Sequence, residues 1–317
     1  MKQVRPKKNL GQHFLTDLSI ARRIADTVDE PYPELPVLEV GPGMGVMTQY
    51  LAEKPRELKV VEIDRESVAY LKATLFADSQ KQSNPISHLS TLPSHLSPLS
   101  SPIIEGDFLR MDLAEVFGGR QFVLTGNYPY DISSQIFFKM LDNRNLIPCC
   151  TGMIQHEVAV RMAAGPGSKQ YGILSVMIQA WYDVEYLFTV PPSVFNPPPK
   201  VQSAVIRMTR NKVEHLGCDE QLFRRVVKTV FGQRRKMLRV SLRQMLDGQQ
   251  IQSLTSHLSS LISHPSSLTS HLSSLTSHPS SLTSHLTLDL RPEQLSIEQF
   301  VELTNGVEKV LCANTRN

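Results

Sequence analysis

The run GNYPY at residues 126–130 places an amide, a proline and an aromatic ring directly after an uncharged apolar segment, residues 122–124. An exocyclic adenine amine is a poor nucleophile because its lone pair is delocalised into the ring. The side-chain oxygen of Asn127 and a backbone carbonyl beside Pro129 can accept its two N–H groups, which favours a pyramidal nitrogen placed for attack. Tyr130 can stack on an unpaired base. Asn and Pro also form ordinary turns, but the position after an apolar segment favours a site that methylates an amino group.

A glycine-rich segment, EVGPGMG at residues 39–45, could bring the backbone close to a ligand. Taken alone, this segment is weak evidence, because a glycine-rich turn also occurs in NAD sites. Its GxGxG spacing and the acid Glu39 before the glycines argue against NAD. Two more acids end the next two apolar segments, Glu62 in VVEID and Asp107 in EGDF. Ribose hydroxyls and an adenine amino group need acceptors at such positions. One acid could be a solvated loop carboxylate, but three beside a glycine loop indicate a nucleoside cofactor.

An alternation of β-rich and helical segments has to position these residues. Seven β-rich segments lie at residues 37–40, 58–63, 103–104, 122–124, 152–154, 184–190 and 204–208, and helical patterns lie between most of them, for example at 46–52, 67–75 and 133–141. The alternation predicts an α/β, Rossmann-like fold with an open, mostly parallel seven-stranded sheet and helices on both faces. The uncharged segment 122–124 should be a central strand. We expect this domain to span residues 1–210.

Strand patterns stop near Asn211, which predicts a small C-terminal α-helical domain over residues 211–317. Within it, residues 221–246 are predicted to form one basic amphipathic helix, and residues 296–302 a short second helix. The basic helix carries a run of cations, Arg234, Arg235, Lys236 and Arg239. Such a run is often only a solvated helix face. Beside a pocket that methylates adenine, it favours contact with RNA phosphates.

Two stretches, about residues 83–101 and 253–286, differ from the rest in being rich in Ser, His, Thr, Pro and Leu. The second repeats every seven residues, and the two together hold seven of the ten histidines. A metal-binding histidine array would need closer, mixed spacing, and a coiled coil is disfavoured by Pro265 and Pro279. We therefore predict two low-complexity inserts that emerge as surface loops.

Composition fits a cytoplasmic protein with a normal core. Of 317 residues, 41% are hydrophobic, and no apolar run reaches the length of a membrane span. The basic start, residues 1–8, lacks the apolar region of a signal peptide. The four cysteines form no CxxC pair, so a reducing compartment is expected. A net charge of +3 says little about nucleic acid, because the location of the charge matters more.

Several segments together resemble the bacterial small-subunit rRNA adenine-N6 dimethyltransferases, the KsgA/RsmA family. The matching segments are KNLGQHFL at 8–15, EVGPGMG, VEID, EGDF, GNYPYDIS, VPPSVFNPPPKVQSAV at 190–205 and FGQRRKML at 231–238. They cover nearly everything outside the two inserts. The resemblance implies a class I methyltransferase that dimethylates N6 of two adjacent adenines near the 3′ end of 16S rRNA, with a role in small-subunit biogenesis.

The resemblance also implies a cofactor and site residues. The cofactor is S-adenosyl-L-methionine, with contacts from His13, Leu15, Gly41, Glu62, Asp107 and Asn127. Catalysis is assigned to Asn127, Pro129 and Tyr130, with Phe195 as a second aromatic that sandwiches the target adenine. A purely structural Phe195 remains an alternative. The family commonly has Asn where His13 stands and Leu where Tyr128 stands.

The expected partner is 16S rRNA within the small ribosomal subunit. We expect a monomer without a metal site or membrane attachment. A related 23S rRNA adenine methyltransferase, an assembly factor that binds immature small subunits, and, more distantly, an NAD oxidoreductase are the alternative functions. The segments FGQRRKML and FNPPPKVQSAV favour the small-subunit enzyme.

Overall fold

The computed structural model describes residues 6–7, 12–76, 102–263 and 285–314. Its strands are β1 Phe14–Leu15, β2 Val37–Val40, β3 Leu58–Glu62, β4 Ile103–Glu105, β5 Val123–Gly126, β6 Cys149–Gln155, β7 Tyr182–Val190, β8 Phe195–Asn196 and β9 Ser203–Arg210. Its helices are α1 Leu18–Asp26, α2 Thr48–Ala52, α3 Arg65–Thr74, α4 Leu113–Val116, α5 Ser133–Asp142, α6 His156–Ala163, α7 Ile173–Gln179, α8 Glu220–Gly232, α9 Leu238–Ser241, α10 Gly248–Ser263 and α11 Ile297–Asn314.

A seven-stranded sheet in the order β4-β3-β2-β5-β6-β9-β7 forms the framework. Strands β4, β3, β2, β5 and β6 pair in parallel, and β9 pairs antiparallel to β6. All residues of β2 and β5 are buried, which is typical of strands covered on both faces. The predicted fold class and the central position of β5 are therefore confirmed.

A second, two-stranded sheet was not predicted. In it β1 pairs antiparallel with β8, with Phe14 opposite Asn196 and Leu15 opposite Phe195. Each strand has only two residues, which is too short for any alternation pattern in the sequence. The pairing ties the segment before α1 to the proline-rich segment after β7.

The chain divides into two compact units, Met1–Ala159 with Val184–Arg210, and Val160–Asp183 with Asn211–Asn317. The change at residue 210 coincides with the predicted boundary, but residues 160–183 were predicted to belong to the first domain. In the structure they cluster with the C-terminal helices, and the Tyr171 ring packs edge-on against Phe231. A tertiary preference of this kind is not visible in local sequence patterns.

The predicted continuous helix over residues 221–246 is wrong. Helix α8 ends at Gly232, and a turn leads into the short α9. Glycine weakens a helix, and the N–H groups of Leu238 and Arg239 bond to the carbonyls of Leu290 and Leu288. These tertiary hydrogen bonds stabilise the break.

The predicted second insert is also wrong at both ends. Helix α10 continues through the first eleven residues of the repeat, 253–263, and Leu254 and Leu258 are buried at 0% and 2% exposure. Leucines four residues apart lie on one helix face, and these pack against α11. At the other end Leu286 is buried. The first predicted insert, about residues 83–101, lies outside the described residues.

Helix α11 is longer than the predicted helix at 296–302 because it continues through Gly306. A Cβ atom at Gly306 would lie 2.7 Å from Leu254 Cδ1, so the glycine permits close contact between α10 and α11. In the described part of the chain, no helix has the length and apolar character needed to cross a membrane.

Candidate active site

A cavity of about 280 Å³ lies in the first unit, where the parallel strands β2, β3, β4 and β5 end. The predicted site residues that line it are His13, Leu15, Gly41, Glu62, Asp107, Asn127, Pro129 and Tyr130. Residues without a predicted role also line it, among them Gln12, Ile63, Leu109 and Ile132. The acids predicted to bind the cofactor, Glu62 and Asp107, thus line the same cavity as residues of the GNYPY segment.

The glycine loop turns sharply between β2 and α2. Gly41, Gly43 and Gly45 all have positive φ, at 68°, 57° and 78°. A Cβ atom at Gly45 would lie 2.3 Å from Leu75 Cδ1, so that position also lacks space for a side chain. The GxGxG spacing therefore reflects both backbone conformation and close packing.

Glu62 connects this loop to the end of β3. Its carboxylate accepts hydrogen bonds from the N–H of Gly43 at 3.0 Å and of Asp64 at 2.8 Å. Burial raises the pKa of Glu62, and these backbone hydrogen bonds oppose that rise. A carboxylate has further lone pairs, so Glu62 can still accept a hydrogen bond from a ligand hydroxyl.

Glu39 lines the same cavity and is 1% exposed. Its Oε2 accepts a 2.6 Å hydrogen bond from Thr48 Oγ1. Burial raises the pKa of Glu39 to about 8. The side chain is therefore mainly protonated near neutral pH, a state that the sequence does not reveal.

The end of β4 presents Asp107, whose side chain is one-third exposed. Its Oδ1 accepts from the Leu109 N–H at 2.9 Å, and Arg110 Nε lies 3.4 Å from Oδ2. Ile63, next to Glu62 in sequence, also lines the cavity and is an apolar residue that is 53% exposed. An exposed apolar side chain in the lining fits the face of an adenine ring, and its position inside VEID was the available signal.

Asn127 follows β5 and donates from Nδ2 to the carbonyl of His13 at 3.2 Å. The donating group is thereby engaged, and the acceptor Oδ1 remains for a substrate amine. The Pro129 carbonyl accepts from the Ile132 N–H at 3.2 Å, which holds the tight turn after Asn127. Tyr130 lies in the cavity wall with its hydroxyl 2.5 Å from Ser203 Oγ.

Tyr128 also lines the cavity, but its side chain is almost completely buried. It is 1% exposed, and its hydroxyl donates to the Thr151 carbonyl at 2.9 Å. A Cβ atom at Gly152 would lie 2.8 Å from the Tyr128 ring, so the glycine provides space for it. A tyrosine is thus accommodated where the resemblance leads one to expect leucine.

Of the two aromatic residues assigned to the target base, Tyr130 lines the cavity and Phe195 does not. Phe195 is 4% exposed, packs in the hydrophobic core and is absent from the cavity lining. The ring of His13, by contrast, lies 5.7 Å from the Tyr130 ring at an interplanar angle of 28°. The structure therefore brings together all the predicted catalytic residues except Phe195.

The four predicted RNA-binding cations lie in the second unit. Arg235 and Lys236 are exposed in the turn between α8 and α9. Arg234 donates to the Ser168 carbonyl at 3.2 Å, and Arg239 forms a 2.7 Å ion pair with Asp289. Two of the four are thus held by neighbours within the protein.

Residues 3–274 match the family model described as ribosomal RNA adenine dimethylase. Over 99% of its length the chain is 56% identical to the "Ribosomal RNA small subunit methyltransferase A" of Bacteroides thetaiotaomicron, of which it covers 98%. The protein of the same name from Flavobacterium johnsoniae is 45% identical over 97% of this chain and 98% of its own length.

Solved structures show a similar fold. A dimethyladenosine transferase from Plasmodium falciparum superimposes with a TM-score of 0.67 at 21% identity, covering 94% of this chain and 98% of that chain. The 23S rRNA methyltransferase ErmE gives a TM-score of 0.57 at 23% identity, covering 93% and 99%.

Proposed function

We propose a function for a chain that belongs to the ribosomal RNA adenine dimethylase family: it uses S-adenosyl-L-methionine to dimethylate N6 of two adjacent adenines near the 3′ end of 16S rRNA. One observation carries the proposal. The acids suited to an adenosine cofactor and the amide and ring suited to a target adenine line a single cavity at the ends of four neighbouring strands. The substrate is the small ribosomal subunit, named in the relatives that match almost the whole chain.

The side chains present fit the cofactor. Glu62 and Asp107 end neighbouring strands and are proposed to accept from the ribose hydroxyls and the adenine amino group. Exposed Ile63 offers an apolar surface in the same cavity. When bound, S-adenosyl-L-methionine supplies a methyl group that is already activated by its sulfonium centre, so no strong base is required.

For catalysis, we propose that the chain mainly aligns the target nitrogen. Asn127 Oδ1 accepts one N–H of the adenine amine, and a backbone carbonyl beside Pro129 accepts the other, which directs the nitrogen lone pair toward the methyl group. Tyr130 holds the base by stacking. Positioning of this kind can supply most of a rate enhancement when the electrophile is activated.

We assign phosphate contacts to the exposed Arg235 and Lys236 and propose that the protein acts as a monomer in the cytoplasm during small-subunit biogenesis. The buried thiols of Cys149 and Cys150 suit a reducing compartment.

The function is tested by incubating purified small or large ribosomal subunits with methyl-labelled cofactor. Label entering rRNA of the small subunit is expected. Label entering only the large subunit would identify the chain as a 23S-type methyltransferase and overturn the proposal.

A further inference from the structure

The loop between β4 and α4, residues 106–112, carries Asp107 into the cavity and contains neither helix nor strand. Within this Asp107 loop the N–H of Leu109 donates to Asp107 Oδ1 at 2.9 Å. The N–H groups of Arg110 and Met111 donate to the Asp107 carbonyl at 3.0 Å and 3.2 Å. A turn of this kind presents carbonyl groups that need donors from elsewhere in the chain.

Lys139 of α5 supplies such donors. Its Nζ donates to the Leu109 carbonyl at 3.1 Å and to the Met111 carbonyl at 2.6 Å. Nζ also lies 5.8 Å from the centre of the Phe108 ring, within the range of a cation–π attraction. One side chain, about 30 residues distant in sequence, therefore contacts three residues of the Asp107 loop.

A lysine suits this position because an ammonium group has three donor hydrogens and no acceptor, so it can bond to two carbonyls at once. The side chain is partly buried, and burial lowers the pKa of Lys139. The negative charges of Asp107, Asp112 and Asp142 oppose that change. The ammonium group thus interacts electrostatically with the acid whose loop it holds.

Lys139 does not line the cavity, whereas Asp107, Phe108 and Leu109 do. Any effect of Lys139 on a ligand must therefore pass through the Asp107 loop. Since α5 starts at Ser133, just after the GNYPY segment, the same helix that follows the catalytic turn also holds the loop that carries the adenine acid.

We propose that Lys139 is a positioning residue, which holds the Asp107 loop where the Asp107 carboxylate meets the 6-amino group of the cofactor's adenine. Lys139 thereby makes cofactor binding selective for adenine over a purine that lacks this group. The inference rests on the proposed function, because it concerns the cofactor of the same site.

Calorimetry with two ligands tests this role. One is S-adenosyl-L-homocysteine, the cofactor without its transferable methyl group, and the other is an analogue of it with hydrogen in place of the 6-amino group. Lys139→Met keeps an unbranched side chain and removes the donors. It should weaken binding of S-adenosyl-L-homocysteine roughly two- to tenfold, as expected for one lost hydrogen bond, and leave the affinity for the analogue unchanged. In an Asp107→Ala background the same change should alter neither affinity.

Lys59→Met is the matched control. Lys59 Nζ also donates to a carbonyl, that of Val116 at 2.6 Å, and lies 5.3 Å from the Phe117 ring. Lys59 does not line the cavity, so its replacement should leave both affinities unchanged. If Lys139→Met does not fold, Lys139→Gln, which keeps donor hydrogens on a shorter side chain, should show the same selective loss at a smaller size.

Equal loss of affinity for both ligands in a folded Lys139 variant would mean that Lys139 only supports the fold, and would overturn the proposal. Unchanged affinity for both ligands would do the same, as would an undiminished loss in the Asp107→Ala background. Because binding is measured without RNA, an unmodified protein that binds S-adenosyl-L-homocysteine but leaves small subunits unmethylated would contradict the proposed function and not the role of Lys139.

Discussion

Asn127 and Tyr130 carry the proposed chemistry, and substitutions can separate their contributions. Tyr130→Ala should lose turnover while cofactor affinity stays near normal, because base stacking is worth roughly 1–3 kcal/mol per base. Tyr130→Phe keeps the ring and loses only the hydrogen bond to Ser203, so it should retain much of the activity. Asn127→Ala should be slowest, since it also loses the bond to the His13 carbonyl. Single-turnover rates at saturating cofactor test this order, and full activity of Tyr130→Ala would contradict it.

Cofactor affinity should depend on the two acids to different degrees. Asp107→Ala removes one acceptor, which is worth roughly 0.5–1.5 kcal/mol for a neutral hydrogen bond and up to about 3 with a charged partner. Glu62→Ala should weaken binding more, because Glu62 also holds the N–H groups of Gly43 and Asp64. Calorimetry gives both affinities. Unchanged binding in both variants would overturn the assignment of the pocket.

Glu39 makes a prediction about pH. Its pKa is about 8 in the folded protein against 4.5 as the ordinary value, so the folded state holds a proton that the unfolded state releases. The resulting stabilisation is complete below about pH 4.5 and is lost as pH rises toward 8. Relative to the unmodified protein, Glu39→Gln should therefore gain on the order of 1–4 kcal/mol in unfolding free energy between pH 5 and pH 8.5.

Urea unfolding at several pH values measures this difference. Glu34→Gln, at an exposed position of the same unit, is the control and should follow the unmodified protein. If Glu39→Gln also runs parallel to the unmodified protein, Glu39 is ionised in the folded state.

Residue types and spacing predicted most of this site. Glu62 ends a β-rich segment and Asp107, Asn127 and Tyr130 follow one, and parallel strands bring their carboxyl ends to one edge. The pairing of His13 with Tyr130 could not be predicted in this way, because it depends on β1 and β8, which are distant in sequence and two residues long.

At the scale of elements, helix α10 makes the clearest prediction. Leu254→Ala should reduce the unfolding free energy by roughly 2–5 kcal/mol, because it leaves a cavity where Leu254 packs against Gly306 of α11. Exposed Ser253→Ala is the control and should change stability little. Thermal or urea unfolding measures both. Equal stability of the two variants would mean that α10 does not contribute to the core of the second unit.

Because the predicted insert contains buried leucines, the effect of deleting it should depend on where the deletion begins and ends. Removing residues 253–286 takes away the buried Leu254, Leu258 and Leu286 and should destabilise the second unit. Removing only residues 264–284 keeps all three leucines and should therefore destabilise the second unit less than the longer deletion does. Circular dichroism and methylation assays on both deletions test this. A stable 253–286 deletion would support the original low-complexity boundary.

Strands were predictable because β2 and β5 are short, mostly apolar and followed by turn or motif residues. The ends of the helices in the second unit were less predictable than the strands. The break after Gly232 depends on hydrogen bonds to Leu288 and Leu290, and the continuation through Ser253–Ser263 depends on packing against α11. The composition of residues 253–263 predicted a loop, but packing against α11 stabilises a helix instead.

At the scale of the whole molecule, family membership and the residues that line the cavity both support methylation of an rRNA adenine. The family match spans residues 3–274, which includes every residue of the cavity lining. A fold alone would not define a substrate, since many functions share one fold. The substrate assignment depends instead on the amide and ring after β5, together with relatives that match the chain over nearly its full length.

The most direct test is mass spectrometry of small-subunit rRNA after treatment with the protein and methyl-labelled cofactor, alongside Asn127→Ala. We predict two labelled methyl groups on N6 of each of two adjacent adenines near the 3′ end of 16S rRNA, and a strong loss of label with Asn127→Ala. Label on cytosine, on ribose, or on adenines elsewhere in the rRNA would contradict the account.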